Sequence, residues 1–166
     1  MKRFRDDSGA TIVEAMIGIA VAMIGFALLA SLLAVSQKQQ RSLTVISDGL
    51  GEARTAMTRV TDEVRGAKWI EASGATAVAW MDANRDGIRT SAEDVTFRIE
   101  VVGGVTRLVR VQNGSTTLLA SGLQSGSLSV ITAKNAAELT LTLTVPGADG
   151  KTGTTISSKV STRANG

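Results

Sequence analysis

Between Ala10 and Val35 lie 26 residues whose only charge is Glu14. A helix needs roughly 20 apolar residues to cross the hydrocarbon of a bilayer, so this run is long enough to span one. It follows a short polar start, Met1 to Gly9, that carries Lys2, Arg3 and Arg5, and the next charge after Glu14 is Lys38. Basic residues ahead of a span hold the N-terminus on the cytoplasmic side. The C-terminal bulk of the chain is then expected to be exported. A carboxylate at the centre of a membrane helix is unfavourable by roughly 2.5–3.5 kcal/mol on insertion scales. A lone glutamate near the head of such a helix is therefore expected to have a task.

The order Gly9-Ala10-Thr11-Ile12-Val13-Glu14, set directly before an apolar helix, resembles the cleavage and methylation signal of type IV prepilins and pseudopilins. The resemblance covers residues 8–35. It implies that a prepilin peptidase in the membrane cuts after Gly9 and N-methylates Ala10. It also implies that Glu14 pairs with the free N-terminal ammonium of a neighbouring subunit. The implied partners are other pilin or pseudopilin subunits, the peptidase, an inner-membrane assembly platform and membrane lipid. The implied role is a structural subunit of a type IV pilus or type II secretion pseudopilus, or of its tip. The physics agrees, because a carboxylate and an ammonium are each unfavourable in hydrocarbon and relieve one another when paired. Gly18, Ala22 and Gly25 are small enough to let helices approach closely in lipid. The chain departs from the family pattern in two ways: Ala10 stands where phenylalanine is commoner, and the helix lacks the proline of many major pilins, the only proline being Pro146.

Two simpler readings of the same segment exist. One is a secretory signal peptide removed from the mature chain; the other is a plain single-span anchor carrying an extracellular binding module that does not polymerise. The run exceeds the 7–15 residues usual for a signal-peptide core. Neither reading accounts for the glycine-to-glutamate spacing.

Composition narrows the rest. The chain has 166 residues, enough for one membrane helix and one modest domain. It contains no Cys and no His, which removes disulfides, the usual zinc sites, Cys-His nucleophiles and histidine bases. With no recognisable base, nucleophile or phosphate cradle, the chain is not expected to be an enzyme. From Trp69 onward nine Lys/Arg stand against eight Asp/Glu, and this balance gives no reason to expect nucleic-acid binding.

Beyond the apolar run, Leu43, Ile46, Leu50, Ala53, Met57, Val60, Val64 and Ala67 recur at spacings of three and four. This is an apolar stripe on one helix face. The other face carries Lys38, Arg41, Asp48, Glu52, Arg54, Arg59, Asp62, Glu63 and Arg65. One helix is expected from about Thr11 to about Lys68, on the order of 85 Å at 1.5 Å per residue. Gly49 and Gly51 are soft points where it could bend. The stripe suits either a coiled-coil seam or a cover for the chain's own sheet, and the strands that follow need a cover.

From Ala75 the pattern becomes that of strands: 75–81, 95–102, 106–112, 116–120, 127–132, 139–145 and 154–162 are rich in Val, Ile, Leu and Thr. Alternation is clearest in Leu139-Thr140-Leu141-Thr142-Leu143-Thr144-Val145, which should bury the four apolar residues on one face. Gly103-Gly104 and Asn113-Gly114 are hairpin signals, and Pro146 to Gly150 reads as a turn. The fold class is α+β, a long N-terminal helix packed on a C-terminal antiparallel meander. The expected organisation is a leader at 1–9, a membrane half of the helix at 10–35, an amphipathic half at 36–68 and a β-rich ectodomain at 69–166. Pilins and pseudopilins share this arrangement. The order of segments resembles minor pilins of the W class and secretion pseudopilins of the J class.

One constellation in the ectodomain points to chemistry. Asp82, Asn84, Asp86, Thr90 and Glu93 fall at places 1, 3, 5, 9 and 12 of a twelve-residue loop, with Gly87 at place 6 and the Ile88 carbonyl at place 7. This is the oxygen spacing of an EF-hand-type calcium loop. Arg89 stands where such loops carry an apolar residue, and strands rather than helices are expected to flank it. The alternative is a polar hairpin loop in which Asn, Asp and Gly serve turn geometry. Trp69 and Trp80 are read as packing residues rather than a binding platform. Arg98, Arg107 and Arg110 are read as a solvated strand face.

Overall fold

The computed structural model describes residues 8–133, 136–147, 150 and 153–162. Most of the expected leader, residues 1–7, lies outside the described residues, as do Ala148 and Asp149 of the expected turn. The chain divides into two compact units, Met1–Leu43 and Thr44–Gly166. A single helix, α1 (Ser8–Gly66), runs through the boundary.

In the first unit every side chain from Ile12 to Val35 is exposed in the single chain. Phe26 is 73% and Met23 67% accessible. The helix is long and apolar enough here to cross a membrane.

Among the described residues the second unit joins the remainder of α1 to eight strands. They are β1 (Trp69–Ser73), β2 (Thr76–Trp80), β3 (Asp94–Val102), β4 (Val105–Gln112), β5 (Ser115–Leu123), β6 (Ser125–Ala133), β7 (Ala136–Val145) and β8 (Thr154–Ser161). All pairings are antiparallel. They form a five-stranded sheet in the order β1-β2-β3-β4-β5 and a three-stranded sheet in the order β6-β7-β8. The α+β class holds. The expected single meander is in fact two sheets, because the chain leaves the first after Leu123 and the Gln124 N–H donates to the Thr144 carbonyl in the second.

Two further differences lie at the end of the helix. It stops at Gly66, not Lys68, and residues 69–73 form β1, which the alternation of the sequence did not announce. The exit is tight. The Ala67 N–H donates to the Val64 carbonyl, and the next amide, Lys68, already donates to the Trp80 carbonyl at the end of β2. Trp69 and Trp80 then face each other as a cross-strand pair.

The apolar stripe of α1 is buried from Ala53 onward. Ala53, Ala56, Met57, Val60 and Val64 pack with Phe97, Ile70, Leu108 and the β7 residues Leu139, Leu141 and Leu143. Leu50 is half-buried, while Leu43 remains 67% exposed. Cover for the chain's own sheets, not a coiled-coil seam, is what this stretch of stripe provides. Polar residues beside it fasten the helix to several strands. Glu52 Oε1 accepts from the Ser121 N–H of β5 at 2.9 Å, the Thr61 and Ser158 hydroxyls meet at 3.3 Å on β8, and Glu63 receives Arg110 of β4 at 2.6 and 2.9 Å. In β6, a Cβ on Gly126 would meet Ile99 Cδ1 at 2.8 Å, so its lack of a side chain lets the two sheets close.

Arg98, Arg107 and Arg110 do share the β3–β4 hairpin, but only in part as a solvated face. Arg98 and Arg107 both pair with Glu100, while Arg110 sits with the core residue Phe97 across the ladder and reaches Glu63.

Candidate functional site

Two places carry the residues singled out by sequence, one in each unit. At the head of α1, Gly9 and Ala10 lie in the first turn, and Glu14 is the one charged residue before Lys38. Glu14 is exposed, as are the apolar residues that follow it. With 3.6 residues per turn, Glu14, Gly18 and Gly25 fall within about 40° of one another around the axis, and Ala22 within about 80°. Nothing lies within 4 Å of the position a Cβ would take on Gly18 or Gly25. The carboxylate and these small residues therefore share one side of the helix.

The second place is the 82–93 loop between β2 and β3. Asp82 is nearly enclosed, its side chain 3% accessible, and its Oδ2 forms an ion pair with the Lys68 ammonium from the end of the helix. The neighbouring ammonium holds the Asp82 carboxyl below its ordinary value; burial opposes this, and the Gly87 N–H, at 3.5 Å from Oδ1, assists it. Gly87 takes a left-handed backbone, φ +75°, a conformation glycine adopts without strain.

The other oxygens face different partners. Asn84 and Asp86 form a local turn: the Asp86 N–H donates to Asn84 Oδ1 at 3.0 Å, Asn84 Nδ2 donates to Asp86 Oδ2 at 2.8 Å, and the Ile88 N–H donates to Asp86 Oδ1 at 2.7 Å. Glu93 is buried, and its Oε2 accepts from the Thr90 hydroxyl at 3.2 Å, the Thr90 N–H at 3.4 Å and Trp80 Nε1 at 3.4 Å. Asp82, Asp86 and Glu93 are thus not brought together. Among the described residues no group of three or more His, Cys, Asp or Glu is placed to hold a metal ion.

Arg89, at the place of the usual apolar residue, pins the loop by charge. It donates to both Asp94 oxygens at 2.8 and 3.1 Å and to Glu71 Oε1 of β1 at 2.9 Å. These carboxylates, Asp94 first, raise its already high pKa. Sequence reasoning missed Lys68. It lies upstream at the helix end, and no local spacing ties it to the loop.

No protein-family model matches the chain, and neither a curated protein nor a solved structure shows significant similarity to it.

Proposed function

We propose that the chain is a minor pilin or pseudopilin, a structural subunit cleaved after Gly9 and N-methylated at Ala10. It is held in the membrane by α1, with the N-terminus cytoplasmic and the β domain exported, and is drawn from there into a filament or its initiating tip. The observation that carries this reading is a single carboxylate, Glu14, placed five residues after Gly9 at the head of the otherwise uncharged stretch 10–35, whose side chains from Ile12 to Val35 are exposed in the single chain. Such a surface must be covered by lipid or by like helices. Lipid supplies no hydrophobic drive between helices, so a buried carboxylate–ammonium pair and close contact at Gly18 and Gly25 would have to set the register.

Replacing Glu14 with Ala tests it. The variant should still enter the membrane and still carry a folded β domain, yet fail to appear in sheared filaments or in cross-linked oligomers of the native host. A Glu14→Ala chain that assembles at the parental level would overturn the role given to Glu14, and a parental chain that itself appears in neither filaments nor oligomers would favour the plain single-span anchor with a binding module.

A further inference from the structure

The 82–93 loop has the spacing of a calcium loop, yet its first oxygen donor is already neutralised by the protein itself. We propose that Lys68 is the resident cation of this loop: its ammonium takes, at Asp82, the place a divalent ion holds in a metal-dependent loop of the same spacing, and closes the loop without one.

Three observations converge. The Lys68 ammonium is paired with the enclosed Asp82 carboxylate. It also lies 5.4 Å from the centre of the Trp80 ring, within reach of a cation–π attraction. The position a Cβ would take on Gly87, the glycine at the sharp turn of the loop, is 4.0 Å from the same nitrogen. Trp80 completes the closure from its other side, since its ring N–H donates to Glu93 at the far end of the loop. One lysine and one tryptophan therefore join the first and last carboxylates of the twelve-residue segment.

The electrostatics follow. Removing the ammonium would leave the Asp82 carboxylate without its countercharge. A divalent ion entering the native loop would meet a fixed positive charge and would have to expel it. Calcium, expected from the spacing alone, is in this account a competitor of Lys68 for Asp82.

Limited trypsin digestion of the full-length protein in detergent reads the loop directly, because Arg85 and Arg89 are cleavage points within it. Digestion is run with EGTA and with CaCl2 at about 1 mM, the affinity range of weak extracellular modules, and the fragments are assigned by mass. The native protein should be cut at the same rate under both conditions. Lys68→Gln should be cut in EGTA roughly tenfold faster, in proportion to the larger open population, and calcium should restore its protection. Lys68→Arg, which keeps the charge, should behave as the parent. Circular dichroism of each variant separates loop opening from loss of the fold. If Lys68→Gln unfolds, Asp82→Asn supplies the second arm: it should stay folded, and calcium should not change its rate. The proposal is overturned if calcium protects the native loop, if Lys68→Gln in EGTA keeps the parental rate, if calcium fails to restore that variant, or if Asp82→Asn gains protection from calcium.

Discussion

At the scale of single residues, two glycines of α1 separate packing from propensity. Glycine inside a helix is less favourable than alanine by roughly 1 kcal/mol. A Cβ on Gly51 would meet nothing within 4 Å, whereas one on Gly49 would lie 2.8 Å from Val145 Cγ1. Valine is stiff at χ1 and cannot turn away freely. Gly51→Ala should therefore raise the stability of the β-bearing unit by up to about 1 kcal/mol, while Gly49→Ala should lower it, since overpacking costs about 1–3 kcal/mol. Urea titration of both variants checks the opposite signs. Helix α1 continues through both positions, so at Gly49 the missing side chain serves contact with β7 and not a break.

The ion pair of Arg110 with Glu63 is a second residue-scale test. Both side chains are less than a fifth exposed, at 17% and 19%, and the Arg110 Nε–H is shared between the two Glu63 oxygens. A double-mutant cycle with Arg110→Gln and Glu63→Gln should give a coupling of about 1–3 kcal/mol, above the range of exposed pairs. A coupling near zero would mean that the apolar stripe alone seats the helix.

At the scale of elements, much of the pattern was legible, for local reasons. Leu139, Leu141, Leu143 and Val145 are all buried on one face of β7, as strict alternation requires. Both hairpin signals sit at tight turns with positive φ, Gly103 and Gly104 in one, Asn113 and Gly114 in the other. β1 escaped notice because Trp69-Ile70-Glu71-Ala72-Ser73 is short and buries only Ile70 fully. The apolar period of the helix also runs to Ala67, past its last residue. The calcium-like spacing of the 82–93 loop names its oxygens but not the groups each of them meets. Their partners include Lys68 and Trp80 from outside the loop, and those contacts leave no trace in spacing.

That loop also has a pH signature. Asp82 is held below its ordinary value of 3.8 by Lys68. Stability linked to a lowered carboxyl pKa is fully present above the unfolded value and is lost as pH falls through the folded one. Trp80 fluorescence should therefore stay constant from neutral pH down to about 4 and change below it, as Lys68 leaves Asp82. Asp82→Asn should flatten that acid limb. A limb that persists unchanged in this variant would assign it to other carboxylates.

At the scale of the whole molecule, the split into two sheets could not be read from sequence, because alternation identifies strands but not their partners. β5 and β6 are consecutive and nearly continuous, yet they belong to different sheets. Composition had already excluded disulfides and metal–thiolate staples, and the second unit is accordingly held by aliphatic packing around one buried aromatic residue, Phe97. Among the described residues the first unit is the apolar part of α1, and its head holds the functional claim. Mass spectrometry of the N-terminal peptide of the protein isolated from its native host tests that claim most directly. The expected result is a chain that begins at N-methylated Ala10 with the apolar helix retained. A chain that begins at Met1, or one cut between Ala34 and Gln37 so that the helix is lost, would contradict it.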